Sequence, residues 1–159
     1  MWGRDVGRTI AFAERMAAET GLPVRAEHDP QIAAKADVIC TVTGAHDPIL
    51  FGEWVRSGTH VNVVGSSYAG PVEVDHALVV ASRYFADSRR SVLAAGAEFL
   101  AAKDAGLIGD EHIVAEIGEI LSGGVAGRKS SDEITLYKSL GHVVQDLAAA
   151  AYIHAKTVA

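Results

Sequence analysis

Apolar residues between positions 8 and 20 recur at helical spacing, with Ile10, Ala13, Met16 and Ala17 on one face, and Gly21 with Pro23 ends the run. Leu22 to Glu27 reads as a short strand. Asp29 and Pro30 form a helix start, a side chain able to cap free N–H groups followed by a residue that lacks one, so residues 29–36 predict a brief helix. It leads into the apolar strand Asp37 to Thr43, DVICTVT. Residues 51–58 read as a helical turn, 59–65 as a buried strand, 76–82 as a helix and 83–87 as another strand. Alternation at this short spacing predicts a parallel sheet with helices on its faces, an α/β fold.

The second half is more helical in pattern. In residues 110–124, Ile113, Ile117, Ile120 and Leu121 predict a helix ended by paired glycines. The last segment places Leu140, Val143, Val144, Leu147, Ala148 and Ala151 along one helical face. Both helices are expected to cover the sheet. Between them, residues 124–133 form a polar loop and 134–141 a strand running into the final helix. With no internal repeat, low-complexity tract or linker, residues 1–159 are expected to fold as a single domain.

Composition agrees with one cored domain: 159 residues, 49% hydrophobic and 21% charged. The formal net charge of −6 and the mixing of acids with bases supply no basic stripe, which argues against nucleic-acid and anionic-membrane partners. Arg89-Arg90 and Arg128-Lys129 are local exceptions, read as solvated turns. The first residues carry charges every few positions, without an apolar leader, and no run reaches spanning length, so a cytoplasmic location is expected. Cys40 is the lone cysteine, which excludes a disulfide framework, and within DVICTVT it reads as a small core residue. The seven histidines show no zinc-binding spacing. Glu116 and Glu119 read as the polar flank of a helix, and His142 with Asp146 as a surface pair worth a few tenths of a kcal/mol.

The stretch from His60 to Asp75, HVNVVGSSYAGPVEVD, is different in kind. A buried strand runs directly into Gly65, Ser66 and Ser67, and no Asp, Glu, Lys or Arg appears before Glu73. Strand tips of this composition let a backbone approach a ligand closely. At the front of the chain, MWGRD resembles the end of the second strand of a dinucleotide-binding sheet, where Arg4 could pair with a ribose 2′-phosphate and so favour NADP(H), while Asp5 blurs the preference. The Gly-x-Gly-x-x-Gly turn of such sheets is not in this sequence.

Several blocks in one order resemble the ornithine cyclodeaminase/mu-crystallin family: ADVICTVTGAHDPILFGEWVRSGTHVNVVGS, ADSR, AEIGEILSG, and GR followed by SSDEITLYKSLGHVVQDLAAA. The resemblance covers almost the whole chain and corresponds to the C-terminal part of complete members. It implies a partial Rossmann-type NAD(P)-binding domain with C-terminal helices. It further implies that Thr43, Val64, Gly65, Ser66, Ser67 and Ser139 match cofactor-contacting positions, and that Leu140 matches one beside the substrate. Without the family match, Val64–Ser67 would be a plain turn and Ser139 equally an N-cap. Lys138 reads as a solvated or salt-bridged lysine.

The departure from the family pattern is as informative as the match. Cyclodeaminases proper carry an acid at the position of Ser67 and a lysine at that of Pro71, and a neutral hydroxyl cannot shuttle protons as a carboxylate does. Two readings follow. One is an NAD(P)-dependent oxidoreductase acting on the carbon–nitrogen bond of a small amino or imino acid, of ketimine reductase or amino-acid dehydrogenase type, inactive alone and completed by an N-terminal half or by homo-oligomerisation. The other is a non-catalytic truncated remnant serving as an oligomeric or binding module.

Overall fold

The computed structural model describes residues 1–157, and a five-stranded parallel sheet organises them. Its strands are β1 (Val38–Thr41), β2 (His60–Val63), β3 (Arg83–Ala86), β4 (Ile113–Glu116) and β5 (Thr135–Lys138). Their spatial order is β1-β2-β5-β3-β4, every neighbouring pair running parallel. The strand latest in the sequence is therefore the central one.

Register explains the core. Val61, Leu136 and Tyr84 stand side by side across β2, β5 and β3, and all three are buried. One step towards the carboxyl ends, Val63, Lys138 and Ala86 form the next row, equally buried. Seven helices accompany the sheet among the described residues: α1 (Val6–Thr20), α2 (Pro30–Ala33), α3 (His76–Ala81), α4 (Arg89–Ala95), α5 (Ala97–Asp104), α6 (Ile117–Leu121) and α7 (Val143–Thr157). Their starts are chemically specified: Asp5, Asp29, Asp75 and Ser88 each accept a backbone N–H of the first turn. Leu78 and Val79 of α3, Val92 of α4 and Phe99 of α5 join the buried cluster over the sheet. Phe99 meets Tyr84 with ring centroids 5.3 Å apart and planes tilted by 58°, a favoured aromatic geometry. Each such side chain contributes about 1.5–3 kcal/mol by leaving water.

The structure corrects four expectations. Residues 22–27 form no strand: they run beside the N-terminus, tied to it by the bonds Met1 N to Arg25 O and Glu27 N to Met1 O, both 2.7 Å, and make no ladder with a strand. Residues 110–124 are not one helix but β4 followed by α6, because Ile113 and Ala115 fill the core with a strand's period of two before the helical period begins. Cys40 is exposed on the edge strand β1, where its neighbour Thr41 is the residue turned into the core. The final helix does not cover the sheet, for every described residue from Gly141 to Thr157 is exposed. Two helices that the periodicity did not suggest, α4 and α5, supply cover instead.

Candidate functional site

Ligands of open parallel sheets bind beyond the carboxyl ends of the strands. At that end Thr41, Val63, Lys138 and Ala86 lie in register across β1, β2, β5 and β3. The turn leaving β2 is drawn tight against β1, with Val64 N and Gly65 N donating to Thr41 O at 3.0 and 3.2 Å. Glu73 completes the joint. Its Oε1 accepts from Thr43 N at 2.5 Å and Thr43 Oγ1 at 2.8 Å; its Oε2 accepts from Thr41 Oγ1 at 2.7 Å and Gly65 N at 2.8 Å. Glu73 is fully buried, and four donors hold its charge. Gly65 is obligatory here because a Cβ would run into the Thr43 backbone and the Glu73 carboxylate.

A second carboxylate sits next to the first. Glu98, in the first turn of α5, accepts Glu73 N on Oε1 at 3.0 Å and the Ser66 hydroxyl on the same oxygen. Lys138, with no exposed surface, directs its ammonium to Ser66 O at 2.5 Å and Ser66 Oγ at 2.6 Å. It also faces Glu98 Oε2 at 3.1 Å, a charge contact whose geometry falls short of a directed hydrogen bond. Tyr84 lies near this cluster with its hydroxyl buried and unpartnered. Burial first, then the charges of Glu98 and Asp87, hold its phenol well above the ordinary value of 10.0.

The third joint lies on the other side of β5. Asp87 Oδ2 accepts from Leu140 N at 2.7 Å and Gly141 N at 2.9 Å, with the Ser139 hydroxyl at 3.4 Å. Asp87 Oδ1 takes Ser88 N at 2.7 Å. One aspartate thus fixes both the start of α4 and the turn after β5.

The residues singled out in the sequence can now be placed. Thr43, Gly65 and Ser66 meet in one joint, and their polar groups face inward: the Thr43 hydroxyl donates to Glu73, the Ser66 hydroxyl to Glu98. Val64 and Ser67 flank them and are exposed. Pro71 is buried. Ser139 and Leu140 sit across β5, tied to Asp87; Ser139 caps no helix, since α7 begins only at Val143. Lys138 proves to be the buried, ion-paired form of the two readings it had. Arg4 stands apart, exposed, one residue before the α1 cap. Arg89 and Arg128 are not idle surface cations: Arg89 donates to Ile113 O at 2.7 Å and Arg128 to Glu133 O at 2.6 Å. His142 accepts Val144 N at 3.2 Å. Sequence reasoning missed Glu98 and Asp87 and gave Glu73 no role. The available signal was Glu73 itself, the first charge after an otherwise uncharged strand and turn.

An apolar groove beside the edge strand β1 is lined by Met1 and Trp2, by Val38 to Thr43 and by Ile49 and Leu50. It is bounded by one strand edge and by a segment that bonds to Arg25 and Glu27.

Residues 1–159 match the ornithine cyclodeaminase/mu-crystallin family over their full length. The chain belongs to this family. Among curated relatives, the Delta(1)-pyrroline-2-carboxylate reductase of Bacillus cereus is 33% identical over 160 residues, covering 99% of this chain and 49% of that protein. The ketimine reductase mu-crystallin of Mus musculus is 39% identical over 157 residues, covering 97% and 45%. The chain thus spans about half the length of the curated family members it matches. Among solved structures, the Thermococcus litoralis Delta(1)-pyrroline-2-carboxylate reductase in complex with NADH and L-proline superposes with a TM-score of 0.85 at 33% identity, over 88% of this chain and 44% of that one. The iminosuccinate reductase of Paracoccus denitrificans in complex with NAD+ gives 0.84 at 32% identity, over 94% and 45%. The fold is accordingly that of the family's NAD-binding, Rossmann-type domain. Among the described residues no helix is long and apolar enough to cross a membrane.

Proposed function

We propose that this chain forms the nicotinamide-facing part of a reductase or dehydrogenase that acts on the carbon–nitrogen bond of a small amino or imino acid, with NAD(P)(H) as cofactor. The observation that carries the reading is the turn Val64–Ser67: it is anchored from below at three points and presents an exposed Val64 side chain while its Ser66 hydroxyl turns inward. A flat ring can lie on such a surface. When bound, nicotinamide supplies or accepts the hydride. Val64 and Gly65 would support the ring, and Leu140, held by Asp87, would border the substrate.

Ser67 decides between reaction types. It is exposed, but its hydroxyl is neutral at working pH, and the buried Pro71 supplies no cation beside it. Cyclodeamination needs repeated proton transfers at the reacting carbon, whereas reduction of an imine or oxidation of an amine needs one hydride step and one proton. The reductase or dehydrogenase reading therefore fits better than cyclodeamination, in keeping with relatives named as pyrroline-carboxylate and ketimine reductases.

The dinucleotide's other end fits less well. Of the two long helices, α1 carries the Asp5 carboxylate at its N-terminus, where a pyrophosphate would need bare N–H groups. On this reading the phosphate cradle would come from elsewhere, and the groove beside β1 suits an extended segment of a complementing N-terminal half. Alone, the chain is expected to turn over little or not at all. Arg4, which makes no ion pair among the described residues, would favour the 2′-phosphate of NADP(H).

Titrating the purified chain with NADPH and NADH, alone and with the unmatched N-terminal half of a family member, tests the reading. Weak binding alone, stronger binding on mixing and a preference for NADPH that Arg4→Ala abolishes are expected. Robust turnover of a cyclic imino acid by the chain alone would overturn the requirement for a complement. The non-catalytic binding module remains the second reading because the apolar groove and α7 both stand open to an assembly. Tight cofactor binding to a monomer counts against it.

A further inference from the structure

The buried charges at the carboxyl end of the sheet call for an explanation that stability does not provide. An ion pair moved out of water recovers little more than its desolvation cost, and apolar side chains of similar volume commonly do as well. What apolar residues cannot do is direct a bond at a chosen backbone atom. Lys138 does this: it grips Ser66 through both carbonyl and hydroxyl, at 2.5 and 2.6 Å, from a strand 72 residues away in sequence. Glu98 holds the same hydroxyl from α5, and through Glu73 N it holds the far end of the excursion that leaves β2. Between those anchors, Ser67, Tyr68, Ala69 and Gly70 are exposed, with Gly70 at φ 134°. The exposed excursion is thus pinned at both feet by one charged pair.

We propose that Lys138 and Glu98 are positioning residues that set the height and tilt of the Val64–Ser67 turn, acting on a bound ring through Ser66 without touching it. The proposal rests on reading that turn as the cofactor-facing surface. It separates two quantities that a merely stabilising pair would move together: the opening of the turn and the unfolding of the sheet.

Native-state hydrogen exchange on the full chain reads both. In the wild type, the amides of Gly65 and Glu73 should exchange only as slowly as those of Val61 and Val63 in β2. Exchange of Gly65 and Glu73 by a separate, easy local opening would overturn the proposal without any variant. The pair is then removed together, as Glu98→Gln with Lys138→Met, so that no lone charge stays buried. Exchange at Gly65 and Glu73 should rise at least about tenfold relative to Val61, while the sheet still unfolds in one step. Equal acceleration at all four amides would show a stability role only and overturn the proposal. Should the double variant not fold, Ser66→Ala, which deletes the shared hydroxyl, should give the same selective rise to a smaller extent, and no selective rise would overturn it. NADH affinity of wild type and variants, measured by nicotinamide fluorescence with the complementing half present, tests the functional reading separately. A wild type that binds no NADH defeats that reading and leaves the exchange result on the turn standing.

Discussion

The carboxyl end of the sheet and the C-terminal helix reverse the usual assignment of inside and outside. At the strand tips, two carboxylates and a lysine are wholly buried. In α7, Val143, Val144, Leu147, Tyr152 and Ile153 are each more than half exposed. The difference is one of partners. Glu73 and Glu98 find donors on β1 and on the turn after β2, and a countercharge on β5, so their charges are compensated where they lie. The apolar side of α7 finds no surface among the described residues, although its pattern is that of a helix made to be covered. Burial in this molecule follows the availability of a complementary neighbour more than the polarity of the side chain.

Substitutions can break that contrast at either end. The largest effect is expected for Glu73→Ala, which removes the acceptor of four hydrogen bonds, two of them from backbone amides, and should cost about 3–5 kcal/mol in urea unfolding. Glu73→Gln sharpens the test: it keeps the shape but turns an NH2 group towards donors, so it should fall short of the alanine loss yet remain clearly destabilised. Gly65→Ala, which drives a methyl into the Thr43 backbone, should cost about 1–3 kcal/mol or more.

Smaller effects follow from Tyr84. Because its phenol titrates above 10.0 in the fold, the folded state keeps a proton that the unfolded chain releases, so stability is intact below pH 10 and falls as pH rises beyond it. The slope approaches about 1.4 kcal/mol per pH unit, and Tyr84→Phe should remove that alkaline limb in pH-dependent melts. The same variant, which deletes an unpartnered buried hydroxyl, should change stability at neutral pH by less than about 1 kcal/mol. The smallest change belongs to α7, where Leu147→Lys should alter the stability of the isolated chain by less than about 0.5 kcal/mol. If α7 is covered in an assembly, the same substitution should lower the sedimenting mass.

What could be read from the sequence divides along the same line. Strands β1, β2, β3 and β5 announce themselves by apolar runs with turn residues at their ends, and Asp29-Pro30 announces α2, because these signals are local. The α/β class and its parallel sheet followed from them. β4 was hidden because Ile113, Ile117 and Ile120 also satisfy a helical period. The segment 22–27 has a strand's composition but forms only isolated bonds, so composition alone misled. The turn Val64–Ser67 was visible as a place; the groups that hold it were not. Glu98 lies 32 residues from Ser66, and Lys138 a further 40, so only the closed sheet reveals that they meet.

The central position of β5 has a consequence for how the molecule is made. β2 joins β3 only through β5, so the sheet is two separate ribbons, β1 with β2 and β3 with β4, until residues 135–138 have been synthesised. A ribosome will have released four strands, two of them bearing unpaired N–H and C=O edges that await the same partner, before the two ribbons can join. Pairings across 75 residues, such as His60 with Thr135, form slowly because the intervening chain must be gathered first. During that interval the nascent chain is open to mispairing with its neighbours on a polysome, and a helper that shields strand edges would matter most until β5 has emerged.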